Sequence, residues 1–89
     1  MRRVARVDKN QAAIVEALRK IGATVQHLHT IGKGCPDLAV GFRSKNFFLE
    51  CKVGKESLTP DEREWMIGWH GQVCVVRSPE EAILTVAGR

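Results

Sequence analysis

The chain has 89 residues, a formal net charge of +4, 44% hydrophobic and 27% charged residues. That length supports one domain with a modest core, so self-association would be unsurprising, and the composition excludes disorder and low complexity. The positive balance favours a polyanionic partner through counterion release, a pointer shared with many proteins that bind no nucleic acid.

The opening Met1-Arg2-Arg3-Val4-Ala5-Arg6 is basic, and no apolar stretch follows it before Asp8. Residues 1–7 therefore read as a flexible basic start, neither signal peptide nor anchor, and the chain as an intracellular, cytoplasmic protein with no membrane partner. Asp8 is placed to cap a helix that starts near Lys9 and carries Ile14, Ala17, Leu18 and Ile21 on one face until Gly22 ends it. Glu16 and Lys20 form an i,i+4 pair in the favourable order, so Glu16 reads as a solvated charge. Ala23 to Ile31, with Val25, Leu28 and Ile31 among Thr and His, reads as a strand of imperfect alternation.

His27 and His29 fall on one side of that strand. With Cys35 they offer three ligands but no fourth, which disfavours zinc and leaves solvent, a second subunit or DNA facing the rings. Cys35, Cys51 and Cys74 lack any Cys-x-x-Cys spacing, so reduced thiols are expected rather than a disulfide framework or a zinc ribbon. The loop Gly32-Lys33-Gly34 lets the backbone approach a partner closely and places Lys33 to meet a phosphate; the plainer reading is a turn before a hairpin.

The hairpin follows. Leu38, Val40 and Phe42 share one face of its first strand, and Phe47, Leu49 and Cys51 share one face of its second, across a turn read as Arg43 to Asn46. Joining the apolar sets sets Leu38 opposite Cys51 and Val40 opposite Leu49. Asp37 then lies opposite Lys52 and diagonal to Glu50, with Cβ atoms about 5 to 8 Å apart. Two carboxylates and a lysine thus converge on one spot. Mg²⁺ takes carboxylate oxygens while keeping several waters, and an adjacent ammonium steers a water or a phosphate oxygen, which is the equipment for phosphodiester hydrolysis. The bland alternative is a cross-strand Asp37–Lys52 ion pair with Glu50 solvated.

Beyond the hairpin, Val53 to Ser57 is a polar loop in which Lys55 is a candidate backbone contact. Thr59, Pro60 and Glu62 spell a capping box at the start of a helix that sets Trp65, Met66 and Trp69 on one side, as core, dimer interface or base-stacking platform. Gln72 to Arg77 reads as a buried strand through Val73, Val75 and Val76. Ser78, Pro79 and Glu81 spell a second capping box, opening a helix with Ala82, Ile83, Leu84 and Val86 inward. The order α-β-β-β-α-β-α predicts an α/β domain, a mixed sheet flanked by helices, its last strand parallel to a neighbour.

Pro36-Asp37, a short hairpin and then Glu50-Cys51-Lys52 resemble the signature of the PD-(D/E)xK nucleases. With Gly32 to Asp37 and Leu58-Thr59-Pro60-Asp61-Glu62, the chain from about Asp8 onward resembles the virus-type replication-repair nuclease (VRR-NUC) domain, of the compact stand-alone kind found in phages. The resemblance implies a restriction-endonuclease-like αβββαβ(α) core. It implies Mg²⁺ or Mn²⁺ on Asp37, Glu50 and the backbone carbonyl of Cys51, and no small-molecule cofactor. Lys52 would orient or help deprotonate the attacking water. An acidic residue at the start of the first helix often completes such sites, so Asp8 is either a fourth ligand or a plain N-cap. Asn10 and Gln11 beside it are either contacts to DNA or a metal-bound water, or surface residues.

With Lys33, Gly34 and Lys55 these two amides make up the expected DNA contacts. Members commonly carry Gln where this chain has Glu62, so Glu62 reads first as a cap and second as a site residue. Products with a 5′ phosphate and a 3′ hydroxyl, a homodimer and branched DNA such as a Holliday junction are further implications. One small domain leaves no room for a separate sequence-reading module, which favours structure-selective cleavage.

Overall fold

The computed structural model describes residues 9–88. The expectations for residues 1–7 and for Asp8 fall outside the described residues. Helix α1 (Lys9–Lys20) buries Gln11, Ile14, Val15 and Leu18, spaced three and four apart as one helical face. That face is rotated from the expected one: Val15 is buried, Ala17 half-buried, and Ile21 is exposed beyond the last turn. The helix ends in a Schellman arrangement, in which the Ala23 amide donates to the Leu18 carbonyl and the Gly22 amide to Arg19.

Strand β1 (Thr24–His27) is shorter than its expected span, because Leu28 to Ile31 close a turn and leave Ile31 exposed. Next come β2 (Leu38–Phe42), β3 (Lys45–Cys51), α2 (Pro60–Gly68), β4 (Cys74–Val76) and α3 (Pro79–Ala87). The sheet has four strands in the order β1-β2-β3-β4, the first three antiparallel and β4 parallel to β3, so the protein is α/β with a mixed sheet flanked by three helices.

The hairpin register corrects the expected one. Leu38 pairs with Leu49 and Val40 with Phe47, two residues from the predicted partners. The connection is a two-residue turn rather than the span Arg43 to Asn46, since Phe42 pairs with Lys45 and Gly41 with Asn46. Arg43 and Ser44 both take positive φ, 52° and 66°, the pattern of the type I′ turn whose twist matches that of the strands. A slip of two residues keeps every side chain on its face, so the apolar sets remain together.

One face of the sheet supplies Leu38, Val40, Leu49, Cys51 and Val76 to the core. Helices α1 and α3 pack on it, adding Ile14, Val15, Leu18, Ala82 and Val86. Leu84, expected inward, is exposed, because α3 aims Ala82 and Val86, four apart, at the sheet. Ser78 caps α3 by accepting from the Glu81 amide, but the Glu81 carboxylate reaches back to the Arg77 amide at 2.7 Å, one residue short of a capping box.

Helix α2 belongs to the other face. It has no buried residue, and its cap is a complete box between Thr59 and Glu62. Phe48, alternating with core residues Phe47 and Leu49, is met edge-on by Trp65 and Trp69 at ring distances of 5.9 and 5.1 Å. The two indoles stack at 4.7 Å, and Trp69 keeps 41% of its surface exposed. Among the described residues, no helix is long and apolar enough to cross a membrane.

Candidate active site

One step beyond the Leu38–Leu49 pair, the register sets Asp37 beside Glu50 rather than opposite Lys52. Oδ2 of Asp37 accepts from the Cys51 amide at 2.8 Å, which fixes the carboxylate at the mouth of the two strands. Glu50 is 2% exposed, and its Oε1 is buried without a hydrogen-bond partner. Lys52 is 6% exposed and forms no cross-strand pair with Asp37. Its Nζ lies 2.8 Å from Oε1 of Glu62 and 3.7 Å from Oε2 of Glu50.

Glu62 is therefore both the cap and a member of the cluster. The same Oε1 that accepts from the Thr59 amide at 2.9 Å accepts from Lys52. The geometry joins Asp37, Glu50, Lys52 and Glu62, with α2 supplying the last.

Burial sets the electrostatics. It pushes the Glu50 carboxyl up to about 9, helped by the negative charges of Asp37 and Glu62 and opposed by Lys52. Asp37 also rises through burial, against the lowering effect of the Cys51 amide. Burial alone would lower Lys52, but the hydrogen bond and charge of Glu62, with Glu50 behind them, hold it above its usual value. Glu62 moves the other way: desolvation is outweighed by Lys52 and the Thr59 amide, and its carboxyl falls below the ordinary range. Nearby, desolvation followed by the charges of Glu50 and Asp37 raises the Cys35 thiol, so it is no activated thiolate.

Two buried carboxyl groups that resist ionising together, one of them with an oxygen that has no hydrogen-bond partner, are suited to a cation that would displace the proton and hold both as carboxylates. Among the described residues, no group of three or more His, Cys, Asp or Glu side chains is arranged to hold a metal ion. An ion here would rest on Asp37, Glu50, backbone oxygen and water. Mg²⁺ commonly accepts one or two carboxylates with waters completing its shell, so the donors fit that ion.

The other expected residues are distributed unevenly. Asn10 donates from Nδ2 to the Lys52 carbonyl at 2.6 Å and reaches the Arg77 carbonyl at 3.4 Å, so it pins α1 to the ends of β3 and β4. Gln11 is buried at 5% exposure, with Nε2 3.3 Å from Nδ1 of His27, which replaces the expected surface position. His27 and His29 meet edge to face at 5.6 Å, and Nδ1 of His29 is buried without a hydrogen-bond partner. Lys55 is exposed in a loop that Arg77 holds through the Gly54 and Glu56 carbonyls. Glu16 is exposed on α1.

Lys33 is exposed with φ of 56°, beside Gly34 at 80°. Gly34 approaches protein: a Cβ there would stand 2.2 Å from the Asp61 carbonyl oxygen, so the loop before Asp37 lies against the first turn of α2. Gly34→Ala is expected to cost about 1–3 kcal/mol through backbone strain and to part that loop from α2, read as a lower midpoint of thermal unfolding. An unchanged midpoint would show that the loop yields freely.

Comparison of the chain with protein-family models, with curated proteins and with solved structures finds no match. In the sequence Glu62 reads first as a cap, and the resemblance to the VRR-NUC pattern, which commonly has Gln there, is the signal for its second role.

Proposed function

We propose that the protein is a metal-dependent DNA endonuclease of the VRR-NUC kind, cutting phosphodiester bonds in branched DNA as a homodimer. The observation that supports this best is the convergence of Asp37, Glu50 and Lys52, with the buried Glu50 Oε1 lacking a partner inside the protein. Asp37, Glu50 and the Cys51 carbonyl are the groups that would hold Mg²⁺ or Mn²⁺. A bound divalent ion would supply charge neutralisation at the scissile phosphate and the departing oxygen.

The chain's own groups do the rest. The Cys51 amide orients Asp37, and Glu62 holds Lys52 as an ammonium. A protonated Lys52 donates, so in this reading it orients the attacking water or a phosphate oxygen rather than removing a proton. Lys33 and Lys55 are exposed cations that a DNA backbone could neutralise. The expected products carry a 5′ phosphate and a 3′ hydroxyl.

The test is cleavage of labelled four-way junction, flap and linear duplex in Mg²⁺, Mn²⁺ and EDTA, for the natural protein and Asp37→Asn. Cutting is expected only with metal, on branched substrates, and not by the variant. DNA binding without cutting in either metal would overturn the enzyme reading in favour of a binding module that keeps this fold.

A further inference from the structure

On the α2 side of the carboxylate cluster lies an open surface cleft of about 400 Å³, lined by the exposed Lys33, Asp61 and Glu64 and the half-buried Trp65. Its size falls within the roughly 300–1,000 Å³ range of small-ligand clefts. Glu62, which touches Lys52, and Trp65, which lines the cavity, are three residues apart on α2 and so neighbours along one side of the helix. Lys33 reaches it from the loop that leads to Asp37, the loop pressed onto Asp61 at Gly34. The cleft thus adjoins the cluster through α2 and through the loop that leads to Asp37.

The lining has an unusual chemistry for a site next to a phosphodiester centre. Trp65 is stacked on Trp69 and braced by Phe48, so its ring is set before any ligand arrives. Asp61 and Glu64 outnumber Lys33, which disfavours a phosphate inside the cavity. A flat ring stacked on Trp65 suits it better, provided its edge offers donors to a carboxylate and an acceptor to an ammonium.

Guanine has that edge: N1–H and the N2 amine lie side by side for a bidentate bond to one carboxylate, and O6 next to them accepts from a lysine. Adenine turns N1, an acceptor, toward the carboxylates. Cytosine offers its N4 amine beside two acceptors, and thymine a single N–H between two carbonyls. In a duplex these edges are occupied by pairing, so only an unpaired base can present them.

We infer that the Lys33–Asp61–Glu64–Trp65 cavity receives an unpaired guanine of the DNA strand next to the cleaved phosphate. The inference rests on the nuclease reading for its strand and its phosphate, but the cavity's preference for guanine does not. Such a site selects a base at a branch or flap, where one can leave the stack at least cost.

The test uses Trp69→Phe protein, in which Trp65 alone reports, titrated in EDTA with single-stranded heptathymidylate carrying a central guanine, adenine, cytosine or thymine. The guanine oligonucleotide should quench Trp65 saturably and bind about tenfold more tightly than the others, the scale of a charge-assisted hydrogen bond. Glu64→Gln and Asp61→Asn, exposed substitutions that leave the core intact, should erase that preference when combined, and Trp65→Leu, read by the anisotropy of a labelled oligonucleotide, should remove base-dependent binding. Equal binding of all four oligonucleotides, or no quenching by any, overturns the inference. Guanine preference in a protein that cuts no DNA would sustain the site and remove the nuclease reading. Metal-dependent cutting without the preference would do the reverse.

Discussion

Glu50→Gln is expected to stabilise the metal-free protein at neutral pH and, on the proposed nuclease reading, to abolish cleavage and any thermal shift caused by Mn²⁺. Burial, then the charges of Asp37 and Glu62, raises the folded-state pKa of Glu50 from 4.5 to about 9. For an acid raised on folding, the cost is absent below the unfolded value, where both states are protonated. It grows as pH climbs from about 4.5, because the unfolded chain gives up its proton while the folded one keeps it, and it levels off above about 9. At pH 7 the ceiling on that cost is about 3 kcal/mol, from about 1.4 kcal/mol per pH unit.

Glutamine keeps the shape and has no proton to lose. The expected gain is about 1–3 kcal/mol at pH 7, roughly 4–24 °C in Tm for a domain of this size, shrinking toward zero near pH 4.5. Thermal unfolding from pH 5 to 9, with and without Mn²⁺, reads both effects. A variant destabilised equally across that range would show that Glu50 is a packing residue, not a desolvated charge kept for a cation. Retention of the Mn²⁺ shift would place the ion elsewhere.

The sequence carried the hairpin and its faces more faithfully than its register. Alternation in Leu38, Val40, Phe47 and Leu49 depends only on a period of two, so it survived an error of two residues in the pairing. The turn was misjudged because Arg43 and Ser44 adopt left-handed φ without the Gly or Asn that usually announces a type I′ turn. Asp37 and Glu50 still came together, as neighbours rather than on the diagonal. Capping at Thr59 was legible because it is local, four residues read in a row. The second role of Glu62 was not, since Lys52 is brought to it by the path of the chain between β3 and α2. The same holds for Asn10, whose partners are carbonyls of Lys52 and Arg77, and for Gln11, buried by the rotation of α1 about its axis. Leu84 shows the limit of apolar patterning: α3 carries more apolar residues than the sheet has room to cover.

On the proposed nuclease reading, Lys52→Met should lower cleavage by about 10²–10⁴-fold at saturating DNA while leaving the affinity for DNA in EDTA close to that of the natural protein. Lys52 is inside the protein, and its ammonium answers two carboxylates, at 2.8 and 3.7 Å. Removing it leaves the ionised Glu62 without compensation, so stability should fall as well, by about 3 kcal/mol on the scale of a broken buried pair. A fall in both quantities does not by itself separate chemistry from folding. Glu62→Gln makes the separation, because its amide oxygen still accepts from the Thr59 amide and preserves the cap while giving up the charge.

On that background Lys52→Met should cost less stability than it does alone, the difference being the coupling between the two side chains. Cleavage should behave otherwise. If Lys52 acts on the water or the phosphate, its removal remains as damaging to the rate with Glu62→Gln as without it. If the rate loss instead disappears together with the stability loss, Lys52 serves only to neutralise Glu62, and the group that orients the nucleophile lies elsewhere.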